Sequence, residues 1–490
     1  MIDYVLPIVL PVICGVMLLV LGVPQKRSNL LLLVSVAMTA VLGIDVLLLT
    51  KVSGVRLNLF ELTHNVAISF ALDRIGTIFY VLILVVWCLV MIFSFEYMKH
   101  EQNEKRYYGF FFIVLGVLTG LCFAGNLITF YAFFELLTLT SMPLVLHNQS
   151  HEAVMAGLKY LFYSFAGAYL ALLGLYFLFQ YGNTLDFTAG GVLNEQMAAQ
   201  HQPLLLVLAL LMILGFGVKA GMFPMHAWLP TAHPVAPAPA SAFLSAIIVK
   251  AGVLALIRVV YYIFGVSFLR GTWVQTTWMI LALLTVFMGS MLAYREKILK
   301  KRLAYSTVSQ VSYILFGLSL MEPVAFSGAI YHVIAHGLIK STLFLCAGAI
   351  IYQTGKIRVE ELNGIGKQMP VTIWCYTIAS LGLIGIPPTS GFISKWYLAS
   401  GALNSGNPVF AWLGPVILLI SALLTAGYLL PSTMHGFFPG EAFDYKAMKK
   451  AEPCKKMVIP LLILTALSVI SGVFTSPLLA QLQMIADTIF

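Results

Sequence analysis

The chain has 490 residues, of which 60% are hydrophobic and only 10% are charged. This composition excludes a soluble globular protein and indicates a polytopic membrane protein. A formal net charge of +9 would suggest nucleic-acid binding in a soluble protein. Here the basic residues lie mostly in short loops between apolar spans, where they report topology instead, and no nucleic-acid partner is predicted.

Apolar runs of about 20 residues predict an all-α membrane protein with about 14 transmembrane helices. The predicted spans lie near residues 4–23, 28–50, 73–97, 107–124, 127–147, 153–181, 203–222, 239–264, 273–294, 303–320, 324–352, 371–399, 408–435 and 457–480. The first run lacks a small-residue cleavage signature, so we expect a retained helix and not a signal peptide.

Basic residues concentrate in the loops that follow odd-numbered spans. These loops hold, among others, Lys26, Arg27, Lys99, Lys105, Arg106, Lys297, Lys300, Lys301, Arg302, Lys446 and Lys449. By the positive-inside rule these loops face the cytoplasm. Both termini are therefore predicted to lie outside, in a multi-pass protein of a prokaryotic cell membrane.

Three spans carry features that disturb a helix. Span seven contains Gly221 near its end and is followed by Pro224. Span twelve contains Gly-Ile-Pro-Pro-Thr-Ser-Gly at 385–391. Span eleven carries two histidines and Gly337. Proline removes a backbone donor, and in lipid the freed carbonyls need another partner.

The flaws in spans seven and twelve lie five helices apart, and each has a lysine beside it. Lys219 comes just before the first flaw, and Lys395 comes just after the second. Because five is an odd number, a five-helix unit that is repeated once must be inverted. Interrupted helices at matching places of inverted repeats are typical of ion sites in transporters.

Ionisable residues inside otherwise apolar spans are the strongest functional signal. They are Glu135, Lys159, Lys219, Lys250, Lys340 and Lys395. Each costs about 2.5–3.5 kcal/mol at mid-membrane on insertion scales, so a set of this size predicts a path for charge. Glu135 is expected to pair with Lys219, because a buried carboxylate requires a cation. Hydroxyls such as that of Thr138 are the alternative partner.

His332, His336 and Lys340 recur every four residues and so share one helical face. A proton relay is favoured because imidazole titrates near neutral pH. Hydrogen bonding to disturbed backbone is the alternative. Zinc is disfavoured, because no acidic or cysteine third ligand lies near in sequence.

His226 and His233 lie in a loop with almost no charge, which is expected to fold back into the protein. They either pass protons between spans seven and eight or fix the turn. Lys159 lies near the start of a span and can also be interpreted as a snorkelling lysine.

The sequence contains no signature of a cofactor. Five of the six cysteines fall in apolar spans, and no two have metal-ligand spacing. No phosphate-binding loop or dinucleotide fingerprint is present. We therefore predict no metal, no cofactor and no covalent chemistry on this chain.

Residues 226–242 with Lys250 resemble the signature loop and following helix of the proton-conducting antiporter-like subunits. That family includes membrane subunits of respiratory complex I, the A and D subunits of Mrp-type sodium/proton antiporters, and subunits of group 4 membrane-bound hydrogenases. The resemblance runs over roughly residues 70–440. It rests on Phe134-Glu135, Lys219 before Gly221, Trp-Leu-Pro-x-Ala-His at 228–233, Lys250, His336, and Gly-Ile-Pro-Pro before Lys395.

The resemblance implies a division of the chain. Helices 1–3 would occupy 1–106, the first inverted repeat (spans 4–8) 107–264, the second (spans 9–13) 273–438, and the last helix 456–490. Glu135 and Lys219 resemble the pair of the first half-channel, Lys250 the central lysine, and Lys395 the lysine of the second half-channel.

Two features make the chain most similar to an Mrp D subunit or a hydrogenase antiporter-like subunit. Span twelve carries a lysine, and the chain ends soon after span fourteen. Thr231 stands where members often carry aspartate after Trp-Leu-Pro. That difference weakens a role for an acid in this loop.

The sequence thus predicts a proton-translocating subunit of a redox-driven pump or of an antiporter, with sodium as a second candidate ion. Its expected partners are other membrane subunits, lipid and, in a pump, a peripheral redox module. The predicted path comprises Glu135, Lys219, Lys250, His336 and Lys395, with His332, Lys340, Lys159, His226 and His233 as accessory candidates. Two alternatives stay open: a non-translocating structural or quinone-site subunit, and a free-standing secondary carrier.

Overall fold

A computed structural model of the chain describes residues 2–21, 28–49, 56–63, 66–440 and 450–490. The loop residues Lys26, Arg27, Lys446 and Lys449, used to predict orientation, lie outside these ranges. The described chain is mainly helical, with a short antiparallel hairpin between the second and third helices.

The helices follow one another with mostly short connections. They are α1 Ile2–Leu21, α2 Ser28–Leu49, α3 Arg74–Tyr97, α4 Glu104–Phe123, α5 Leu127–Val145, α6 His151–Tyr181, α7 Glu195–Gln200, α8 Gln202–Lys219, α9 Leu229–Val235, α10 Ala238–Phe243, α11 Val249–Ile257, α12 Val266–Leu269, α13 Trp273–Arg295, α14 Leu299–Ser319, α15 Pro323–Thr354, α16 Ile365–Gln368, α17 Pro370–Ile384, α18 Ser390–Asn404, α19 Pro408–Phe437, α20 Lys455–Val473 and α21 Ser476–Ile489. The hairpin pairs β1 Leu57–Thr63 with β2 Val66–Phe70. Two π-helical turns, Leu244–Ile248 and Arg258–Phe264, continue the helix on either side of α11, and a 3-10 turn spans Val359–Leu362.

Eleven helices in the described ranges are long and apolar enough to cross a membrane, and two further apolar helices are shorter. The chain is therefore a polytopic membrane protein. The first turn of α14 carries Lys300, Lys301 and Arg302, and α14 is not among the eleven. The number of fourteen spans stays a prediction.

The helical path is interrupted near the flaws noted in spans seven and twelve. α8 ends at Lys219, and the span predicted at 371–399 consists of α17 and α18 with residues 385–389 between them. Span eleven forms one helix, because α15 runs unbroken through Gly337. A glycine without a neighbouring proline keeps every backbone hydrogen bond, so it weakens a helix without ending it.

The last predicted span, 457–480, is also divided. α20 ends at Val473 and α21 begins at Ser476. Pro477 lies in the first turn of α21, where its missing N–H is not needed, whereas it could not continue α20. The aromatic ring of Phe490, at the end of α21, packs against Tyr261 and Phe326.

Two helices form the centre of the molecule. The apolar window of the continuous helix Ala238–Phe264 is entirely buried, and α15 is nearly so. α15 packs against α14, α18 and α17, and also against α10 and the π turn before α11. Residues on the facing sides of these two helices therefore lie in the interior, furthest from lipid.

Candidate functional site

Lys219 lies at the end of α8 with its side chain enclosed by α5 and α6. It is 1% exposed, and its Nζ donates hydrogen bonds to Thr138 Oγ1 at 2.7 Å and Tyr160 OH at 2.8 Å. The same ammonium lies 4.7 Å from the centre of the Tyr160 ring. The position at a helix end is favourable, because a cation there meets the negative pole of the helix dipole.

Glu135 lies on α5, one turn before Thr138. Its charge interacts with that of Lys219, but the two side chains form no ion pair in the described part of the chain. The Glu135 Oε1 atom is buried and has no hydrogen-bond partner among the residues that the structure describes. The hydroxyls of Thr138 and Tyr160 thus hold the lysine, and the carboxylate lies close by without direct contact.

Lys250 and His336 meet at the centre of the molecule. Lys250 Nζ lies 2.7 Å from His336 Nδ1, and it also donates to the Ser245 carbonyl at 2.7 Å. Ser245 belongs to the π turn before α11, where the helix register changes. Because a π turn is often found at functional sites and shifts the backbone hydrogen bonds, it allows a side chain from the same helix to reach this carbonyl.

His332 extends the contact along α15. Its ring lies 5.8 Å from that of His336 and 5.7 Å from that of Tyr313. Its Nδ1 lies 2.7 Å from Ser394 Oγ, on α18. The pair of histidines therefore leads from Lys250 to the helix that carries Lys395.

Lys395 binds the carbonyl groups at the end of α17. Its Nζ donates to the oxygens of Leu383 at 2.6 Å and Ile384 at 2.8 Å. The last four carbonyls of a helix lack intrahelical partners, and the helix dipole favours a cation there. Lys395 also faces the Tyr313 ring at 5.1 Å, on which His332 stacks.

Lys340 lies one turn beyond His336 on α15 and is completely buried. Its Nζ donates to the Leu303 carbonyl at 2.9 Å, and the Thr307 hydroxyl donates to the same carbonyl at 3.0 Å. Thr307 Oγ1 lies 2.7 Å from Ser245 Oγ. A hydrogen-bonded chain therefore runs from Lys340 through the Leu303 carbonyl and the Thr307 hydroxyl to Ser245, whose carbonyl accepts from Lys250.

The remaining accessory candidates, two loop histidines and Lys159 on α6, comprise one buried residue and two partly exposed ones. His233 is completely buried, and neither ring nitrogen forms a hydrogen bond within the described ranges of the chain. His226 is half-buried and stacks with Phe223. Lys159 lies at the rim of a groove on α6 with its Nζ 6.0 Å from the Tyr163 ring. The Thr231 hydroxyl donates to the Trp228 carbonyl within the loop.

Four lysines inside the apolar spans described above share one electrostatic property. Lys219, Lys250, Lys340 and Lys395 form no ion pair in the part of the chain that the structure describes. Their hydrogen-bond partners are hydroxyls, carbonyls and one imidazole. These amines therefore have no carboxylate in direct contact that would stabilise their charged form. A buried charge without a counter-charge is unfavourable.

Sequence reasoning missed several residues of this arrangement. Tyr160, Ser245 and Thr307 are ordinary helix residues in sequence, and only the packing of distant helices brings them to lysines. Lys300 was interpreted as a loop residue, but it lies on the first turn of α14 and is 7% exposed. Its spacing to the buried Leu303, Ala304 and Thr307 is the signal that could have placed it on the inner face.

Comparison with known sequences relates the chain to a described family. Residues 124–425 match the family described as NADH:quinone oxidoreductase/Mrp antiporter, TM. Residues 61–108 match NADH-Ubiquinone oxidoreductase (complex I), chain 5 N-terminus.

Two relatives share about a third of their aligned residues with the chain. The N subunit of NADH-quinone oxidoreductase from Desulforudis audaxviator is 32% identical over 394 residues, which cover 78% of this chain and 77% of the relative. The D subunit of the Na(+)/H(+) antiporter from Bacillus subtilis is 30% identical over 492 residues, which cover 99% and 96%.

A solved structure has the same fold. A chain of the membrane-bound sulfane sulfur reductase, an archaeal respiratory membrane complex, superposes with a TM-score of 0.86. The superposition covers 99% of this chain and 97% of that chain, at 24% sequence identity.

Proposed function

Since this chain belongs to the NADH:quinone oxidoreductase/Mrp antiporter family, we propose that it carries protons across the membrane as one subunit of a larger complex. Its relatives of nearly equal length are named as subunits of a quinone oxidoreductase and of a sodium/proton antiporter. We propose no covalent chemistry for this chain. Its contribution would be the side chains that bind and release protons.

The contact between Lys250 and His336 carries this proposal. Both side chains are completely or almost completely buried, and they lie at hydrogen-bonding distance between the two most enclosed helices. Amine and imidazole are both able to hold a proton. Such a pair in the interior supports proton transfer between the halves of the protein.

Transfer along the rest of the path would depend on charge coupling. A proton on one buried amine disfavours a proton on its neighbours, so uptake in one half promotes release in the other. Glu135 and Lys219 would form the first half-path, Lys250 and His336 the centre, and Lys395 the second half-path. His332 and the Tyr313 ring support the link between the last two.

We propose fourteen crossings, with both termini outside and two inverted five-helix repeats at spans 4–8 and 9–13. The ends of α8 and α17, each with a lysine in reach, support matching interruptions in the two repeats. The basic residues Lys99, Lys105 and Lys297, in loops after odd-numbered spans, support the orientation.

The driving force would come from partner subunits, because the chain has no recognisable energy source. A redox module would drive a pump, and a sodium gradient would drive an antiporter. Large apolar side chains on α6 and α19, such as Phe162 and Trp412, are exposed. They support contact with lipid or with neighbouring membrane subunits.

The test is proton movement by inside-out vesicles that contain the assembled complex, followed with a pH-sensitive dye. Lys219→Ala should abolish translocation while leaving the complex assembled. Lys99→Ala is the matched control, because Lys99 is exposed and pairs with Glu96 at the surface. Full translocation by the Lys219→Ala complex would contradict the proposal. A loss of assembly, with the remaining complex fully coupled, would favour a structural subunit instead.

A further inference from the structure

Lys300 is a buried lysine that the proposed path does not use. It lies in the first turn of α14, where the helix dipole disfavours a cation. Its Nζ donates to the Pro234 carbonyl at 3.0 Å and also to the Ala236 carbonyl. These carbonyls belong to the end of α9 and the residue that follows it. The carbonyl groups at the C-terminal end of α9 thus compensate for the unfavourable position of the Lys300 charge at the start of α14.

The first of these carbonyls belongs to Pro234, the residue after His233. The buried ring of His233 has no hydrogen-bond partner among the described residues. The ring stacks on Phe344 with centres 4.7 Å apart, and both Nδ1 and Nε2 are without a hydrogen bond. Buried polar atoms of this kind are ordinarily satisfied by water. The loop is held in this position by the Ser241 hydroxyl, which donates to the His233 carbonyl at 2.9 Å.

Lys300 and Lys340 both lie near His233. Lys300 donates to the carbonyl of Pro234, the residue after His233. Phe344, on which the His233 ring stacks, lies one turn beyond Lys340 on α15. The charges of both lysines act on His233.

Glu101 lies in the turn between α3 and α4, and α3 packs against α10, which begins two residues after the Ala236 carbonyl that Lys300 binds. This carboxylate is partly exposed, and its strongest charge interaction is with Lys300. It belongs to a loop that is proposed to face the cytoplasm. A titratable group with access to water is thus in the same region as a buried lysine, and that lysine binds the carbonyl of the residue that follows His233.

We propose that Glu101, Lys300 and His233 form a cytoplasmic gateway through which protons reach Lys340 and Lys250. The inference rests on the proposed translocation and adds the route by which the buried groups exchange protons with the cytoplasm. Each step moves one proton: an N–H or O–H bond breaks on the donor and one forms on the acceptor, with no electron transfer. Water would bridge His233 to its neighbours.

The first experiment uses Lys300→Ala and Lys301→Ala in the assembled complex, assayed in inside-out vesicles with a pH-sensitive dye. Lys301 is the matched control, because it is adjacent and carries the same charge but is partly exposed and pairs with Glu296 at 2.9 Å. We expect Lys300→Ala to lower the initial rate about tenfold or more and Lys301→Ala to leave it unchanged. Ethylamine added outside the vesicles, at the cytoplasmic face, should restore part of the lost rate. An unchanged rate in Lys300→Ala, or a loss that ethylamine does not restore, would overturn the gateway.

His233→Phe provides a second test if Lys300→Ala does not assemble. Phenylalanine keeps the stacking on Phe344 and removes no protein hydrogen bond, so assembly should be unaffected. A relay requires the rate to fall about tenfold or more, whereas a purely structural histidine predicts no change and would overturn the proposal. Lys219→Ala is assayed in parallel. If it is inactive while the gateway variants are fully active, only the gateway fails; if it is active, the proposed function fails.

Discussion

Lys250 Nζ and His336 Nδ1 lie 2.7 Å apart, at the contact between the two most enclosed helices. An ammonium can only donate, so a charged Lys250 requires His336 to accept at Nδ1 and to carry its own proton on Nε2. That Nε2 atom is buried and has no hydrogen-bond partner in the described part of the chain. If the proton moves to the imidazole, the roles of donor and acceptor reverse. The pair can therefore share one mobile proton between α11 and α15.

Tyr160 should determine how well Lys219 holds a proton. Its hydroxyl lies 2.8 Å from both Lys219 Nζ and Ser141 Oγ, and a hydrogen bond to a charged group contributes about 1.5–3 kcal/mol. Tyr160→Phe keeps the ring packing against Trp228 and removes only the hydroxyl. We expect the initial rate of translocation to fall roughly tenfold. Tyr176→Phe, on the exposed face of the same helix, should have no effect; equal rates in both variants would contradict this role.

Asp73 and Arg258 should contribute strongly to stability. They form a two-pronged pair with distances of 2.6 and 2.7 Å, and the guanidinium also faces the rings of Phe187 and Tyr262, with their centres 4.8 and 4.9 Å from its central carbon. Asp73→Asn would leave the buried Arg258 without its counter-charge. Breaking a buried pair costs about 3–5 kcal/mol, and we expect the lower end because Asp73 is 35% exposed.

The control for this pair is Asp186→Asn, because Asp186 pairs with Arg56 at a surface where both side chains are about a third exposed. Such a pair contributes about 1 kcal/mol or less. The measurement is the thermal unfolding of the purified complex in detergent. Equal shifts in melting temperature for the two variants would show that the burial of Arg258 has no energetic consequence.

The same pair predicts a dependence of stability on pH. Burial alone would raise the pKa of Asp73, but the charge of Arg258, together with the hydrogen bonds that Arg258, the Gly76 N–H and Tyr262 donate, outweighs this and holds that pKa below its usual range. A lowered pKa in the folded state stabilises the protein above the unfolded pKa of about 3.9. This stabilisation is lost as the pH falls below that value through the folded pKa. Thermal unfolding between pH 6 and pH 3 should show it in the wild type, with a smaller change in Asp73→Asn; identical profiles would contradict it.

Gly391 permits the close approach of α17 and α18. A Cβ atom at this position would lie 1.9 Å from the Gly382 carbonyl oxygen, so Gly391→Ala must push the two helices apart. Overpacking of this kind costs about 1–3 kcal/mol, and more against backbone. It should also move Lys395 away from its carbonyl partners and slow translocation. Gly43→Ala in α2, where a Cβ meets nothing within 4 Å, should be neutral or slightly stabilising. A Gly391→Ala complex with wild-type melting and rate would refute this account.

The long apolar spans were predictable because membrane thickness sets helix length, and most predicted spans contain a helix of similar bounds. The interruption between α17 and α18 was also predictable, because Pro387 and Pro388 cannot maintain helical hydrogen bonds. The hairpin β1–β2 and the π turns around α11 were not. Neither short strands nor a local change of helix register leaves a distinct hydrophobic pattern over so few residues.

The candidate site residues Lys219, Lys250 and Lys395 could be proposed from the sequence because each is a charge that stands alone in an apolar run. Their partners could not, because a hydroxyl such as that of Tyr160 is inconspicuous until another helix brings it to a lysine. Lys300 was hidden for a different reason. It stands next to Lys301 and Arg302, and three consecutive basic residues at the end of a loop resemble a topology signal.

The most direct test of the central claim is the initial rate of proton translocation by the assembled complex with Lys250→Met. Methionine fills a similar volume and cannot carry a proton, so the contact with His336 is lost while packing is largely retained. Assembly is checked by the yield and melting temperature of the purified complex. We predict an assembled complex with almost no translocation. An assembled Lys250→Met complex that translocates protons at the wild-type rate would contradict the central role of this pair.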